Sequence, residues 1–408
     1  MLRHAGLLVV LSACASTPRA PDAAPSYDGR WRVVFDTELG PLPVPLHIAG
    51  DRAWFENGPE HATTSAVIAR GDALELEIAW YESKLVARRD GDRLVGTWSK
   101  PMGEGWERVA FVATRHEGPR FDPLSPDRSG ADTVEDITGE WAATIDVAGT
   151  KFEAYGAIRI EEGEVRAIFF TPYGETRLLV GDFDRGVLRL SRFEGSHVGS
   201  LFMEARPDGS LAGILWRSDG YSFSMTMKKS AAPTLPDPYA ITALTSDDGR
   251  LDFAFPDRSG AIVTAKDERF EGRVVVVDIF GTWCPNCWEQ ADVLADWTRR
   301  YGERGLVVVG VAFEETEDPV RAWKQIALFE ERIQRTYPIL LASADGGEYA
   351  DELLADITNV VSFPTTVFIG RDGRVRRIHS GFIGPARPEL YDAQVKEQEA
   401  LLERLLAE

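Results

Sequence analysis

The sequence predicts two architectures in one chain: an all-β region of two related antiparallel units, then a carboxy-terminal α/β domain with a mixed sheet flanked by helices. Three observations predict it. From Tyr27 to about residue 230, short alternating stretches are separated by turns rich in Gly and Asp. Motifs of the first half of that region recur in the second half with offsets of 110 to 117 residues. Beyond residue 247, continuous β-branched runs alternate with helical periodicity, as in a sheet covered on both faces.

At 408 residues the chain is long for one domain, and 44% apolar residues suffice for real cores. Lys and Arg number 45 against 65 Asp and Glu, a net charge of −20. That balance excludes nucleic acid as a partner and argues against electrostatic docking on anionic lipid. The three cysteines, Cys14, Cys284 and Cys287, are too few for a disulfide-stapled scaffold.

The amino terminus reads MLRHAGLLVVLSAC. Arg3 supplies a positive start, Gly6 to Leu11 is apolar but too short to span a bilayer, and small residues follow. This is the layout of a secretory signal over residues 1–13. Leu11-Ser12-Ala13-Cys14 resembles the lipobox of bacterial lipoproteins. The resemblance implies cleavage before Cys14, acylation of its sulfur, and a cell-envelope protein facing the periplasm whose membrane contact is the lipid anchor alone. Ala15 is similar to the outer-membrane sorting pattern. The plainer alternative is an ordinary signal peptide with Cys14 incidental. Residues 14–26, rich in Ala, Pro and Ser, read as a flexible tether.

The first β unit spans 27–116. LELEIAW (74–80) and RLVGTW (93–98) carry β-formers with DG and GD turns between them. The second spans 136–230. Gly29-Arg30-Trp31 matches Gly139-Glu140-Trp141, RDGDRLVGTW (89–98) matches RPDGSLAGILW (206–216), and NGPE (57–60) matches PYGE (172–175). The pair is expected to form a sandwich or a barrel-like body, as spacer or substrate-selecting module. Trp31, Trp54, Trp80, Trp98, Trp106, Trp141 and Trp216 fit either a β core, the commoner use, or a sugar-binding surface. Residues 117–135 and 231–246 read as linkers.

In the carboxy-terminal domain, 247–408, VVVVDIF (274–280) reads as a buried central strand. Trp288, Ala291, Leu294, Trp297 and Tyr301 then recur at helical steps, closed by Gly302 and Gly305. LVVVGVAF (306–313) is a second buried strand, and a helix over 318–337 starts with Pro319 in its first turn. Further strands follow at 337–343, 365–370 and 374–382, with Arg371-Asp372-Gly373 turning between the last two. The order gives a parallel sheet with an antiparallel edge.

GTWCPNC (281–287) sits where the first of these strands hands over to the helix. A zinc site would need two more ligands, and the six histidines show no ligand spacing. A structural disulfide across one turn would close too small a loop to constrain much. A redox dithiol fits best. At a helix amino terminus, unpaired N–H groups and the dipole stabilise the Cys284 thiolate, the expected nucleophile and the more exposed sulfur. Cys287, one turn on, can close a disulfide with it. Pro285 fits the first turn, where its missing N–H costs little. No cofactor is called for.

WCPNC after a buried strand, Phe363-Pro364-Thr365 before a late strand, and a closing hairpin and helix resemble the thioredoxin fold. VVVVDIFGTWCPNCWEQ and SFPTTVFIGRDGRV are similar to the TlpA/ResA type of extracytoplasmic thiol-disulfide oxidoreductases. The resemblance covers about 247–400. It implies a cis-proline at Pro364 lying against the cysteine pair, with the backbone of Phe363 free to pair with substrate. It makes Trp283, Phe363 and Thr365 the candidate substrate-binding residues. Asp278 matches the buried acid of thioredoxin, which could exchange a proton with Cys287, though many TlpA/ResA-like proteins lack an acid there. A capping or surface Asp is the alternative. Glu314 and Glu315 are further candidate acids. The implied activity is reduction of protein disulfides, with protein dithiols and disulfides as partners and an upstream thiol as electron donor. A disulfide oxidase or isomerase is the enzymatic alternative, and a redox-sensing envelope binding module the non-enzymatic one.

Overall fold

The computed structural model describes residues 26–408 except 104, 126–135, 148, 172–173, 232–233, 235–236 and 344–349. The expected signal, Cys14 and nearly all of the tether lie outside the described residues, as do parts of both linkers. Among the described residues no helix is long and apolar enough to cross a membrane.

The first β unit comprises β1 (Gly29–Thr37), β2 (Gly40–Ala49), β3 (Arg52–Asn57), β4 (Glu60–Thr63), β5 (Ala66–Arg70), β6 (Ala73–Ile78), β7 (Ser83–Asp90), β8 (Arg93–Met102) and β9 (Gly105–Arg115). They form one antiparallel sheet in the order β4-β3-β2-β1-β9-β8-β7-β6-β5. Successive side chains take opposite faces, so Trp31, Val33 and Phe35 of β1 all point into the core. The β7–β8 turn needs a left-handed residue, and Gly91 provides it at φ 63°.

The second unit comprises β10 (Gly139–Val147), β11 (Thr150–Glu161), β12 (Glu164–Thr171), β13 (Gly174–Glu175), β14 (Leu179–Asp184), β15 (Val187–Phe193), β16 (Val198–Ala205), β17 (Leu211–Arg217) and β18 (Ser222–Lys229). Here β11 pairs with both β10 and β12, so the sheet closes on itself as a barrel. Closure removes the exposed edges that the first sheet keeps. The tryptophans divide. Trp31, Trp98 and Trp141 are fully buried and Trp216 nearly so, whereas Trp106 is 54% exposed.

The two units share a core. Phe193 leaves the end of β15 and inserts among Phe35, Phe55 and Trp98, its ring 4.5 Å from that of Phe55. Its backbone is held by Asn57, which donates to the Phe193 carbonyl at 2.9 Å and accepts from the Phe193 N–H at 3.2 Å. Arg120, in the first linker, donates to Glu56 O and to Ser191 Oγ across the same seam.

The carboxy-terminal domain contains β19 (Ala243–Leu244), β20 (Ala254–Pro256), β21 (Ile262–Thr264), β22 (Val274–Phe280), α1 (Pro285–Tyr301), β23 (Leu306–Phe313), α2 (Pro319–Arg332), β24 (Ile339–Ser343), α3 (Ala350–Leu353), β25 (Ile357–Thr358), β26 (Thr365–Ile369), β27 (Val375–Ser380) and α4 (Pro388–Ala407). The main sheet runs β24-β23-β22-β26-β27, with β22, β23 and β24 parallel and β26 and β27 antiparallel. Every residue of β22 is buried, because apolar clusters cover both faces of the sheet. The end of the second linker is tied down: β19 pairs with β25, and the Ser380 N–H donates to Pro238 O at 2.9 Å.

This domain is docked on the β region. Tyr155, Ala157, Ile168 and Phe170, on the outside of the barrel, pack against Ile383, Ala386 and Leu390. Arg321 bonds Glu82 at 2.7 Å, and Lys100 bonds Glu315 at 3.2 Å. Phe193 is the wedge of the β region, so Phe193→Ala leaves a cavity inside the first unit. It should cost about 3–5 kcal/mol, read as a lower urea midpoint for the loss of near-ultraviolet tryptophan signal.

Candidate active site

Strand β22 ends at Phe280 and α1 begins at Pro285, leaving Gly281 to Cys284 to make the turn. Cys284 is the N-cap of α1, in extended backbone (φ −90°, ψ 114°), and Pro285 takes the first helical position. The Cys284 sulfur accepts from the Cys287 N–H at 3.4 Å. The helix thus offers one of its unpaired donors to this sulfur, as an N-cap requires. Both thiols are free, which makes this the reduced form of the pair.

The turn is framed from three sides. Glu314, just past β23, accepts from the Thr282 N–H at 2.9 Å and the Thr282 hydroxyl at 2.5 Å. Trp283 donates its indole N–H to Phe313 O at 2.8 Å, and its ring lies 5.3 Å from that of Phe363. Trp288 donates to Thr282 O at 2.7 Å. The Phe363–Pro364 peptide is cis, and the Phe363 carbonyl accepts from the Cys284 thiol at 3.3 Å. Thr365 is fully buried, its hydroxyl turned to Ser362 O, so it presents no surface to a partner. The structure therefore brings Trp283, Cys284, Cys287, Phe363 and Pro364 together at one place.

Beneath them lies a buried polar pocket. Asp278 is fully buried on β22, which places the capping or surface alternative aside. Burial raises its carboxyl to about 8. Its Oδ1 accepts from Gln290 Nε2 at 3.2 Å, and Oδ2 has no hydrogen-bond partner. Gln290 also donates to Thr366 Oγ1 at 2.7 Å. The Cys287 thiol is pushed well up by burial, and then by the neighbouring Cys284 sulfur and Asp278. Glu314, likewise buried, is raised to about 7. Gln290 was not singled out in the sequence, although it stands three positions after Cys287 on one helix face. Glu314 was, as a candidate acid, but its hold on Thr282 was not, since strand ends meet only in the fold. Among the described residues no cluster of three or more His, Cys, Asp or Glu side chains is placed to hold a metal ion.

One expectation changes in kind. Cys284 is more exposed than Cys287, but only at 5% against 0%. The β region supplies the cover. The Asn286 amide donates to Glu175 O at 3.4 Å, and Arg177 donates to Pro285 O at 3.5 Å. Tyr81 of the first unit is buried within electrostatic reach of Cys284.

A dithiol on a strand-to-helix turn, a cis-proline against it and this sheet order define a thioredoxin-like domain, similar to those of thiol-disulfide oxidoreductases of the TlpA/ResA type. Residues 248–378 match the AhpC/TSA family model. The thioredoxin-like protein YneN of Bacillus subtilis is 29% identical over 130 residues, covering 32% of this chain and 68% of that protein. Thiol-disulfide oxidoreductase ResA of Bacillus thuringiensis is 25% identical over 123 residues, covering 30% of this chain and 62% of its own length. A solved DsbE-type thiol:disulfide interchange protein of Chlorobium tepidum aligns with 39% of this chain and 96% of its own, at 25% identity and TM-score 0.30.

The raised Asp278 fixes a sign. The folded state keeps a proton that the unfolded chain releases near the ordinary value of 3.8, so the contribution is present below that value and lost as pH rises through about 8. Asp278→Asn should therefore flatten the fall in urea midpoint between about pH 5 and about pH 9, relative to the parent chain.

Proposed function

We propose that the chain is an extracytoplasmic, lipid-anchored thiol-disulfide oxidoreductase that reduces disulfides through Cys284 and Cys287. The observation that carries it is the Cys284 sulfur at the N-cap of α1, with the Cys287 N–H on it and the Phe363 carbonyl beside it. In the reaction the Cys284 thiolate attacks one substrate sulfur. The substrate S–S bond breaks, one substrate thiol leaves with a proton, and a mixed disulfide remains. Cys287 then attacks the Cys284 sulfur, releasing the second thiol. The substrate gains two electrons and the pair becomes a disulfide. Asp278 in its carboxylate form takes the Cys287 proton, because a thiol buried beside it cannot ionise into bulk water.

The reducing direction rests on the TlpA/ResA resemblance. The lipid anchor at Cys14 and the periplasmic location rest on the lipobox resemblance, and protein disulfides are the substrate class that the TlpA/ResA resemblance implies. The parts we assign are a signal at 1–13, a tether at 14–26, β units at 27–116 and 136–230, and the redox domain at 247–408.

We also infer that the two β units are copies of one ancestor. In both sheets the first strand lies between the second and the last. The indoles of Trp31 and Trp141 each donate to the carbonyl four residues earlier, Tyr27 and Ile137. Gly96 and Gly213 both lie where a Cβ would strike the carbonyl of the neighbouring strand.

The mechanism is tested by trapping. Cys287→Ser should accumulate a covalent adduct with a disulfide substrate, reversible by dithiothreitol and visible by mass spectrometry. Cys284→Ser should form none. An adduct on Cys287 in the Cys284→Ser chain would reverse the assigned roles.

A further inference from the structure

The faces on either side of the reactive sulfur are occupied by the chain's own β region. The Cβ position of Gly174 lies 3.3 Å from Ser362 Oγ and 3.9 Å from Asn286 Nδ2, and Gly381 approaches Gly174 Cα. Ser362 belongs to the cis-proline loop and Asn286 lies between the two cysteines, so Gly174 and Glu175 sit over both halves of the site. Tyr81 of the first unit is buried and lines one gap with Trp283.

A single side chain ties the three parts together at this point. Arg177 bonds Glu289 of α1 at 2.6 Å and Glu60 of β4 at 3.4 Å, and Glu60 is shared with Arg192 of β15 at 3.3 Å. The first unit, the second unit and the redox domain are thereby joined in one ionic clasp beside the cysteines. The apolar seam at Tyr155, Phe170 and Leu390 backs it. What stays open is small: Cys284 itself is 5% exposed, and the gap between Trp80, Tyr81 and Lys100 of the first unit and Trp283, Glu314 and Arg321 of the redox domain holds only about 20 Å³. Nothing there has the extent of a protein interface.

We propose that the β region is a substrate-selecting cover: with the Arg177 clasp closed, Cys284 exchanges only with low-molecular-weight disulfides at its small exposed face, and folded protein disulfides reach it only after the clasp opens. The inference rests on the exchange reading above and adds a size filter to it. The rate with a protein substrate is then scaled by the fraction of open molecules, while the rate with a small one is not.

The test uses the full chain, its Arg177→Gln variant and its Leu390→Glu variant, with bis(2-hydroxyethyl) disulfide and insulin as the two substrates. Each variant should reduce insulin roughly tenfold faster or more, with the small disulfide reduced at the parent rate within about twofold. Folded variants that reduce insulin no faster than the parent overturn the proposal. A second measurement needs no variant. Cys284 of the parent chain should react far faster with N-ethylmaleimide than with maleimide-labelled ubiquitin, and equal rates overturn the proposal. A parent chain that does not reduce even the small disulfide removes the exchange reading itself, and the size filter with it.

Discussion

The chemistry depends on one local constraint: a buried parallel strand must hand over to a helix within four residues, and the residue that caps that helix is Cys284. The cap fixes the sulfur against a backbone N–H, sets Cys287 one turn further in, and leaves the first turn free for Pro285. Everything else around the site holds that turn still. Glu314 fastens Thr282, Phe313 fastens Trp283, and the cis-proline loop lies against the sulfur. In the proposed reaction the nucleophile, the resolving thiol and a buried proton acceptor all come from this chain.

The two sulfurs are made unequal by their surroundings. Cys284 caps α1 and its sulfur accepts from the Cys287 N–H. Cys287 faces a buried pocket with Asp278, Gln290 and the sulfur of Cys284, and its thiol is held protonated by burial first and by neighbouring charge second. Division of labour between attacking and resolving thiol follows from that asymmetry. The β region then adds a second layer of control, because buried acids and arginines at the seam join parts that a bare redox domain would leave apart. Glu175, half-buried, is raised to about 8 by burial and then by the charge of Glu289, whereas Arg177 beside it stays cationic between two carboxylates.

Much of this was legible in the letters. VVVVDIF announced a strand buried on both faces, and all seven of its residues are buried. The cysteine pair and Pro285 could be placed because local rules govern strand-to-helix turns and helix caps, and the Phe363–Pro364 step because its motif resembles that of the thioredoxin fold. Asp278 was legible as a candidate buried acid through its match to thioredoxin, but its surroundings were not, since Gln290, Thr366 and Tyr337 arrive from elsewhere in the fold. The barrel closure by β11 and β12 was hidden because period-2 alternation fixes a strand's faces but not its partners. The cover over Cys284 was hidden for the same reason: Gly174, Arg177 and Tyr81 are remote in sequence from residue 284, and no local pattern marks a surface that another part of the chain will occupy. The seven tryptophans of the β region show the limit from the other side, with Trp98 in the core and Trp106 on the surface of adjacent strands.

The central claim is that Cys284 and Cys287 form a reversible redox pair poised to donate electrons. The most direct measurement is the equilibrium reduction potential of that pair in defined thiol buffers. The account predicts a value near that of thioredoxin, about −270 mV. A value near about −120 mV, where strong oxidants lie, would contradict the reducing direction, and a pair that forms no reversible disulfide would contradict the account as a whole.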